Sequence, residues 1–290
     1  MAISFFMRRS AIGDNAERGF TLLEVMVASV VALIAIAAVY SVYTVQQHEY
    51  RHQQTILAAQ QNLRASLVMV EQEIRMAGFD PEDSGQFGIT DIRRYHPVTT
   101  AVDPQGMPAL FYTVDMNEDG RLDANETYGL RIRDDRKLGR TYLTLSIGGG
   151  GRQRLSENIT AWGIAYAVDM DQNGRTDVSP GGNHFIWAVD SDNDNLLDAR
   201  LDTNDDGKIN PSDDANGDLK IDGADGGSID PPLPLVRIKA VRVWILSTTR
   251  RTLRYPLDKR TLMVGDRIYP PTMDGLQRRV VETVIECRNL

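Results

Sequence analysis

Five short stretches of this chain set oxygen-bearing side chains at alternate positions, a spacing that suits a hard cation. The fullest comprises Asp115, Asn117, Asp119, Gly120, Arg121, Leu122, Asp123 and Glu126. Counted from Asp115, side-chain oxygens fall at positions 1, 3 and 5, glycine at 6, an apolar residue at 8 and a carboxylate at 12. Calcium takes about six to eight oxygens, and such a loop supplies them from positions 1, 3 and 5, the main-chain carbonyl at 7, here Arg121, position 9 and a two-oxygen clamp at 12. A merely hydrated acidic loop has no use for glycine at 6, an apolar residue at 8 and an acid at 12 together.

The register recurs from Asp202, with Asn204, Asp206, Gly207, Lys208 at the carbonyl position, Ile209, Asn210 and Asp213. Looser copies start at Asp190, with Asp192, Asp194 and Asp198, and at Asp214, with Asn216, Asp218, Asp222 and Asp225. Starts at 190, 202 and 214 make a fixed repeat, which marks tandem structural units. Two copies depart from the pattern. Asn195 and Leu219 stand at position 6, and Leu201 stands where the Asp190 copy wants its last acid. Asn tolerates the left-handed turn that glycine makes there, and Leu does not, so the Asp214 copy is expected to be the weakest. The fifth stretch, Asp169, Asp171, Asn173, Gly174 and Asp177, reaches Pro180 where an acid belongs. It reads equally as a weak cation site or as a turn between strands with Gly174 left-handed. The Asp115 stretch resembles the EF-hand calcium loop at every diagnostic position. The tandem copies leave no room for flanking helices and resemble thrombospondin type 3 or dockerin-like calcium repeats more than paired EF-hands. The resemblance implies several bound Ca2+ ions. High charge and few aromatics would otherwise read as disorder, but Leu197, Ile209 and Ile221 recur at position 8 and favour metal-dependent order.

These stretches also account for the charge. The formal net charge is −8, yet residues 190–230 hold thirteen Asp against Arg200, Lys208 and Lys220, a balance of −10. The acidity is therefore local and points to cation binding, and no basic patch suggests nucleic acid. Cys287 is the single cysteine, so no intrachain disulfide forms, and its apolar setting predicts a buried structural thiol. Groups for catalysis are sparse. His48 and His52 lie four apart on a helical stretch without the glutamate of a zinc-protease motif, and His96 and His184 read as isolated. The glycine run at 148–151 lacks the helix and lysine of a phosphate cradle and reads as a loop that breaks two strands. No enzyme and no catalytic residue is expected.

The loops need elements to hold them, and the chain begins with an unusual one. Gly19, Phe20, Thr21, Leu22, Leu23 and Glu24 lead into an apolar run that lasts to about residue 45. About 20 apolar residues can cross a bilayer. A carboxylate near the hydrocarbon centre costs roughly 2.5–3.5 kcal/mol, so Glu24 needs a partner. A secretory signal places its apolar region before the cleavage site, whereas Arg8, Arg9, Arg18 and Gly19 come first here. This inverted order resembles the leader of type IV prepilins and type II secretion pseudopilins, in which a membrane peptidase cuts after the glycine and methylates the new N terminus. The resemblance implies a cut between Gly19 and Phe20. It makes Glu24 the fifth residue of the mature chain, paired with the N-terminal amine of a neighbouring subunit. Met7 is an alternative start that leaves a leader of more usual length. Arginines before the span favour a cytoplasmic leader and an exported head.

Beyond the span, Ile56, Leu63, Leu67, Val70, Ile74 and Ala77 form one apolar stripe between polar residues. With no proline over residues 20–77, the spacing predicts one nearly continuous helix of roughly 85 Å, capped by Gly78 and stopped by Pro81. Residues 128–133, 141–147, 159–168, 185–189 and 236–246 alternate or are rich in β-branched and aromatic residues and read as antiparallel strands. The expected fold class is α+β, a long N-terminal helix packed on an antiparallel sheet. The expected organisation is a leader at 1–19, a transmembrane half-helix at 20–46, an amphipathic half at 47–78, and a β-rich head at 79–290 carrying a calcium-repeat insertion at 190–230.

The end of the helix, with Glu71, Ile74, Arg75, Gly78, Phe79 and Pro81, resembles minor pilins of the PilW type and, more loosely, the pseudopilin GspJ. The C-terminal blocks 238–251 and 278–289, with Trp244 and Cys287, look like the last strands of PilW-like proteins. The middle departs from them. The resemblance implies a minor pilin that is cut by prepilin peptidase, sits in the inner membrane with a periplasmic head, and joins other pilins at the cell surface. A type II secretion pseudopilin shares that architecture, and a membrane-anchored calcium-dependent adhesin is an alternative of another class.

Overall fold

The computed structural model describes residues 19–97, 106–135, 140–179, 181, 184–248, 258–272 and 274–290. These fall into two units, one ending at His52 and one running from Gln53 to Leu290. Helix α1 (Leu22–Met76) is unbroken, close to the expected limits. It starts on a reciprocal cap: the Thr21 N–H donates to Glu24 Oε2 at 3.1 Å, and the Glu24 N–H donates to Thr21 Oγ1 at 3.2 Å. In the first unit, Phe20, Leu22, Val27, Ile34 and Tyr40 are all exposed. A helix apolar all round is suited to lipid or to other apolar helices.

In the second unit the helix buries its stripe. Leu63, Val70, Ile74 and Ala77 are completely covered, and Leu67 packs partly buried beside them. Ser66 is buried too, its hydroxyl satisfied by the Asn62 carbonyl at 2.6 Å, which extends the stripe through a polar residue. Gly78 ends the helix left-handed at φ 76 and donates to the Thr113 carbonyl. Tyr112 Oη donates to Glu73 at 2.6 Å and Asn289 Nδ2 to the Arg75 carbonyl at 3.0 Å, tying this half-helix to both ends of the β region.

Two antiparallel sheets follow. One is ordered β1 (Ile89–Asp91), β4 (Leu110–Thr113), β5 (Thr127–Asp135), β6 (Arg140–Ile147), β7 (Gly151–Glu157). The other is ordered β11 (Ser228–Pro234), β10 (Leu196–Arg200), β9 (Trp187–Val189), β8 (Ile159–Val168), β12 (Ile238–Thr248), β15 (Arg278–Glu286). Two hairpins complete the described strands: β2 (Arg94–Tyr95) with β3 (Met107–Pro108), and β13 (Leu262–Val264) with β14 (Arg267–Tyr269). The fold is α+β.

Nine of the ten residues of β8 are buried, Thr160 being the exception, because both of its faces are covered. Trp162, Ile164, Tyr166 and Val168 face the main core, with Leu110, Leu130, Ile132 and the helix stripe. The small Ala161, Ala165 and Ala167 face a second core under β13 and β14. Gly163 makes that layer possible: a Cβ there would lie 2.3 Å from the Gly265 nitrogen.

Several readings of the sequence shift. The strand expected over 236–246 begins at Ile238, after a 3-10 turn at Leu235–Arg237. The strand expected over 185–189 is shortened to β9, with Phe185 in an isolated bridge to Val178. The glycine run is a 3-10 turn at Gly148–Gly150 that leads into β7, a strand too polar to be read from its pattern. Residues 190–230 supply β10 and the start of β11, so the acidic repeats are woven into the sheet.

Candidate metal centre

All five acidic loops share one backbone course. Positions 4 and 6 are left-handed in each: Glu118 and Gly120, Gln172 and Gly174, Asn193 and Asn195, Asp205 and Gly207, Gly217 and Leu219. The first carboxylate turns inward and accepts the N–H of position 6: Asp115 from Gly120 at 2.9 Å, Asp169 from Gly174 at 2.8 Å, Asp190 from Asn195 at 2.9 Å, Asp202 from Gly207 at 2.8 Å, Asp214 from Leu219 at 2.9 Å. Position 3 accepts the N–H of position 5, as Asn117 Oδ1 does from Asp119 at 3.1 Å and Asn204 Oδ1 from Asp206 at 3.0 Å. Position 5 accepts the N–H of position 7, so Asp119 holds Arg121 and Asp206 holds Lys208. These bonds wrap the main chain around converging oxygens. The expectation that Leu219 would prevent the turn is corrected. Leu219 sits at φ 68, with glycine moved to position 4 as Gly217.

The loops close in two ways. Glu126, Asp213 and Asp225, at position 12, each end a 3-10 turn (Ala124–Glu126, Pro211–Asp213, Gly223–Asp225) and are almost fully buried. Glu126 accepts from the N–H groups of Met116 at 3.0 Å and Asp123 at 2.8 Å. Asp213 accepts from Thr203 at 3.0 Å and Asn210 at 2.9 Å, and Asp225 from Ala215 at 2.9 Å and Asp222 at 3.0 Å. The other two loops lack that acid, and position 9 replaces it. Asp198 accepts the Ser191 N–H at 2.8 Å, and Asp177 accepts the Met170 N–H.

The apolar positions bind the loops to the fold. Leu197 lies in the main core, and Ile221 and Ile209 in the second, whereas Leu122 is left 43% exposed. Asn195 has a purpose that glycine could not serve: its Oδ1 accepts the Ile92 N–H at 3.0 Å, while Asn193 Oδ1 accepts that of Arg94 at 2.9 Å. Arg94 is itself buried in an ion pair with Asp266, whose carbonyl accepts from Ile221. His184, isolated in sequence, stands on the Asp202 loop. Its Nε2 lies 3.1 Å from Asp202 Oδ2 and from Asp205 Oδ1, and Ser179 Oγ also donates to Asp205.

Among the described residues, ligand atoms gather within 4.8 Å in three groups: Asp169, Asp171 and Asp177; Asp190, Asp192 and Asp194; His184, Asp202 and Asp205. Burial, reinforced by Asp194 and Asp192, pushes the Asp190 carboxyl up to about 6 against the pull of the Asn195 and Asn193 N–H groups. Burial likewise raises Asp213, with Asp202 adding to it. At Asp169 burial is outweighed, and the Gly174 and Asn173 N–H groups hold the carboxyl low. Negative charge is thus collected at the Asp190 loop, whereas Lys220 pairs with Asp222 at 2.9 Å in the Asp214 loop. Carboxylates, Asn amides and a main-chain carbonyl at alternate positions fit a hard divalent cation, and these residues could hold one.

Gly19, Phe20 and Glu24 stand at the far end of the chain from these loops. Residues 14–40 match the prokaryotic N-terminal methylation motif. No curated protein matches the chain. A solved structure similar to it is the type IV-like pilin TTHA1219 from Thermus thermophilus, 11% identical, with 79% of this chain and 96% of that one covered and a TM-score of 0.40. Helix α1 is long and apolar enough to cross a membrane.

Proposed function

We propose that this chain is a minor pilin of the PilW type whose head is stabilised by Ca2+. Prepilin peptidase cuts between Gly19 and Phe20. Residues 20–46 then hold the protein in the inner membrane with the 79–290 head in the periplasm, and Glu24 pairs with the N-terminal amine of a neighbouring pilin during assembly into a surface filament. The observation that carries this reading is the methylation motif over 14–40, whose apolar run to residue 45 follows a single acid, Glu24. Among the described residues Glu24 accepts from Thr21 within an exposed cap, which leaves the carboxylate available to an incoming amine. The repeated inward-facing oxygens of the Asp115, Asp190, Asp202 and Asp214 loops support the calcium part, with Asp169 as a weaker fifth site.

Processing is tested by replacing Gly19 with valine and following chain mass in membranes. A Cβ at Gly19 meets nothing within 4 Å, so the substitution reads the peptidase and not the fold. The uncut chain is expected to accumulate and to stay out of filaments. Normal shortening at Phe20 with normal assembly would refute the assignment.

A further inference from the structure

His184 and Asp205 meet beside the Asp202 loop, and the calcium pattern uses neither. Asp205 stands at position 4 of that loop, whereas the pattern draws its ligands from positions 1, 3, 5, 7, 9 and 12. His184 comes from a separate stretch, just ahead of β9. The antiparallel pairing of β9 with β10 sets Val189 beside Ala199 and Ala188 beside Arg200, and the Leu201 N–H donates to the Trp187 carbonyl at 2.8 Å. This register brings the residues before β9 level with the loop after β10. Gly207 clears space for the ring, since a Cβ there would lie 3.2 Å from His184 Nδ1.

At the meeting point His184 Nε2 lies 3.1 Å from Asp202 Oδ2 and 3.1 Å from Asp205 Oδ1. Ligands held about 2.0–2.1 Å from a tetrahedral ion stand about 3.3 Å from one another, so this spacing fits the corners of a zinc shell. Hydrogen bonding alone explains it less well: a neutral imidazole has one hydrogen at Nε2 for two oxygens, and Asp205 already accepts from Ser179 Oγ. The three groups border a cavity of about 10 Å³, with Ser179 and Arg200 in its wall, close to the room that one water or one ion needs. One guanidinium against two carboxylates leaves a negative balance there. His184 and Asp205 are partly open to solvent, which gives an ion a way in. The donor set is also selective. Imidazole nitrogen suits zinc and its neighbours, whereas calcium and magnesium take oxygen. The other two groups of converging ligands, around Asp169 and Asp190, contain carboxylates alone.

We infer that His184 Nε2, Asp202 Oδ2 and Asp205 Oδ1 bind a transition-metal ion of the zinc type, with water in the fourth position and Ser179 orienting Asp205. The ion clips together the two ends of the β9–β10 pair, where the chain enters β9 and where it leaves β10. Asp202 then has a part in both metal sites through different oxygens: Oδ1 accepts the Asp206 N–H inside the loop at 3.1 Å, and Oδ2 faces His184. The zinc site does not rest on the pilin assignment, and it needs no calcium in the loop.

The test uses the full-length chain, free of any tag, in detergent micelles, with Zn2+ as the probe and millimolar calcium and magnesium present to compete for sites made of oxygen alone. Affinity is read by competition with a chromophoric zinc chelator. One equivalent is expected to bind, and H184A and D205N are each expected to weaken it at least about tenfold. H48A, on the exposed part of α1, is expected to leave it unchanged. Zinc K-edge X-ray absorption of the unsubstituted chain is expected to show ligands at about 2.0–2.1 Å that include one imidazole. That measurement decides the question even where a variant fails to fold. No zinc bound at micromolar concentration, a shell of oxygens alone, a loss in neither or only one of H184A and D205N, or an equal loss in H48A would each overturn the proposal. Calcium titration of the same chain reports on the loops separately.

Discussion

The Asp202 and Asp190 loops are neighbours with side-chain oxygens at positions 1, 3 and 5 and the same backbone course, but they are closed differently. Asp213 reaches back from position 12, inside a 3-10 turn, and ties together both ends of its loop through the N–H groups of Thr203 and Asn210. Asp198 closes the Asp190 loop from position 9, on β10, and the stability of that loop is borrowed from outside through Asn193 and Asn195. A loop closed by its own twelfth residue is organised locally. One closed at position 9 is organised by the sheet on which it sits. The acid at position 12 is therefore not what sets the turn, since both classes make it, but it adds two carboxylate oxygens that a cation can use.

The broadest test of the comparison is calcium itself. The full-length chain in micelles is expected to melt higher with calcium than with chelator, each site contributing about 2.7 kcal/mol at a hundredfold excess over Kd, with magnesium substituting poorly because it keeps its waters. Thermal melts with both ions and calorimetric titration measure it. Indifference to calcium would reduce both classes to solvated turns. Next in size, E126Q is expected to weaken the Asp115 site by about tenfold or more, because half of the clamp is lost. D198N in the Asp190 loop should cost less calcium affinity than D213N in the Asp202 loop, read by titration of each variant.

Position 6 sharpens the contrast further, because the same substitution should act with opposite signs. L219G relieves a left-handed leucine that is 45% exposed and packs little, and is expected to stabilise by about 1 kcal/mol. N195G removes the acceptor of the Ile92 N–H and is expected to destabilise by about 1 kcal/mol. Denaturant unfolding of both variants decides this, and equal signs would mean that Asn195 is only a turn residue.

The smallest effect contrasts carboxylates neutralised by guanidinium with those gathered in the loops. The Arg260 guanidinium holds Asp258 well below the usual range, and Arg278 brings Asp274 down to about 2. Folded values below the unfolded 3.8 mean that these pairs contribute their stability above that pH, and lose it as pH falls through the folded values. Both pairs are partly open to water, so the contribution is modest. Acid melts between pH 5 and about 2 should show it unchanged by calcium.

Much of this was legible in residue order alone. The methylation motif, the helix to Met76 and the turn at Gly78 rest on neighbours a few positions apart. The same holds for three of the loops, since those with glycine at 6 hydrogen-bond mainly to themselves. The fold class followed from the apolar patterns of β5, β6, β8 and β12, whose buried faces repeat at a period of two. The polar β7 and the short β1 escaped, being held by the pairing of neighbours and not by their own pattern.

What the chain order could not decide depends on contacts far apart along it. His184 meets Asp205 only because β9 runs between them, and Asn195 finds Ile92 only across the join of two sheets. Leu219 was misjudged for the same reason. Its left-handed backbone costs about 1–2 kcal/mol locally, but Ile221 beside it is wholly buried in the second core, and the Leu219 carbonyl accepts from Ile268. Local preference determines a loop's shape where the loop is its own partner. Where burial and distant hydrogen bonds outweigh a kcal/mol of strain, only the tertiary structure decides.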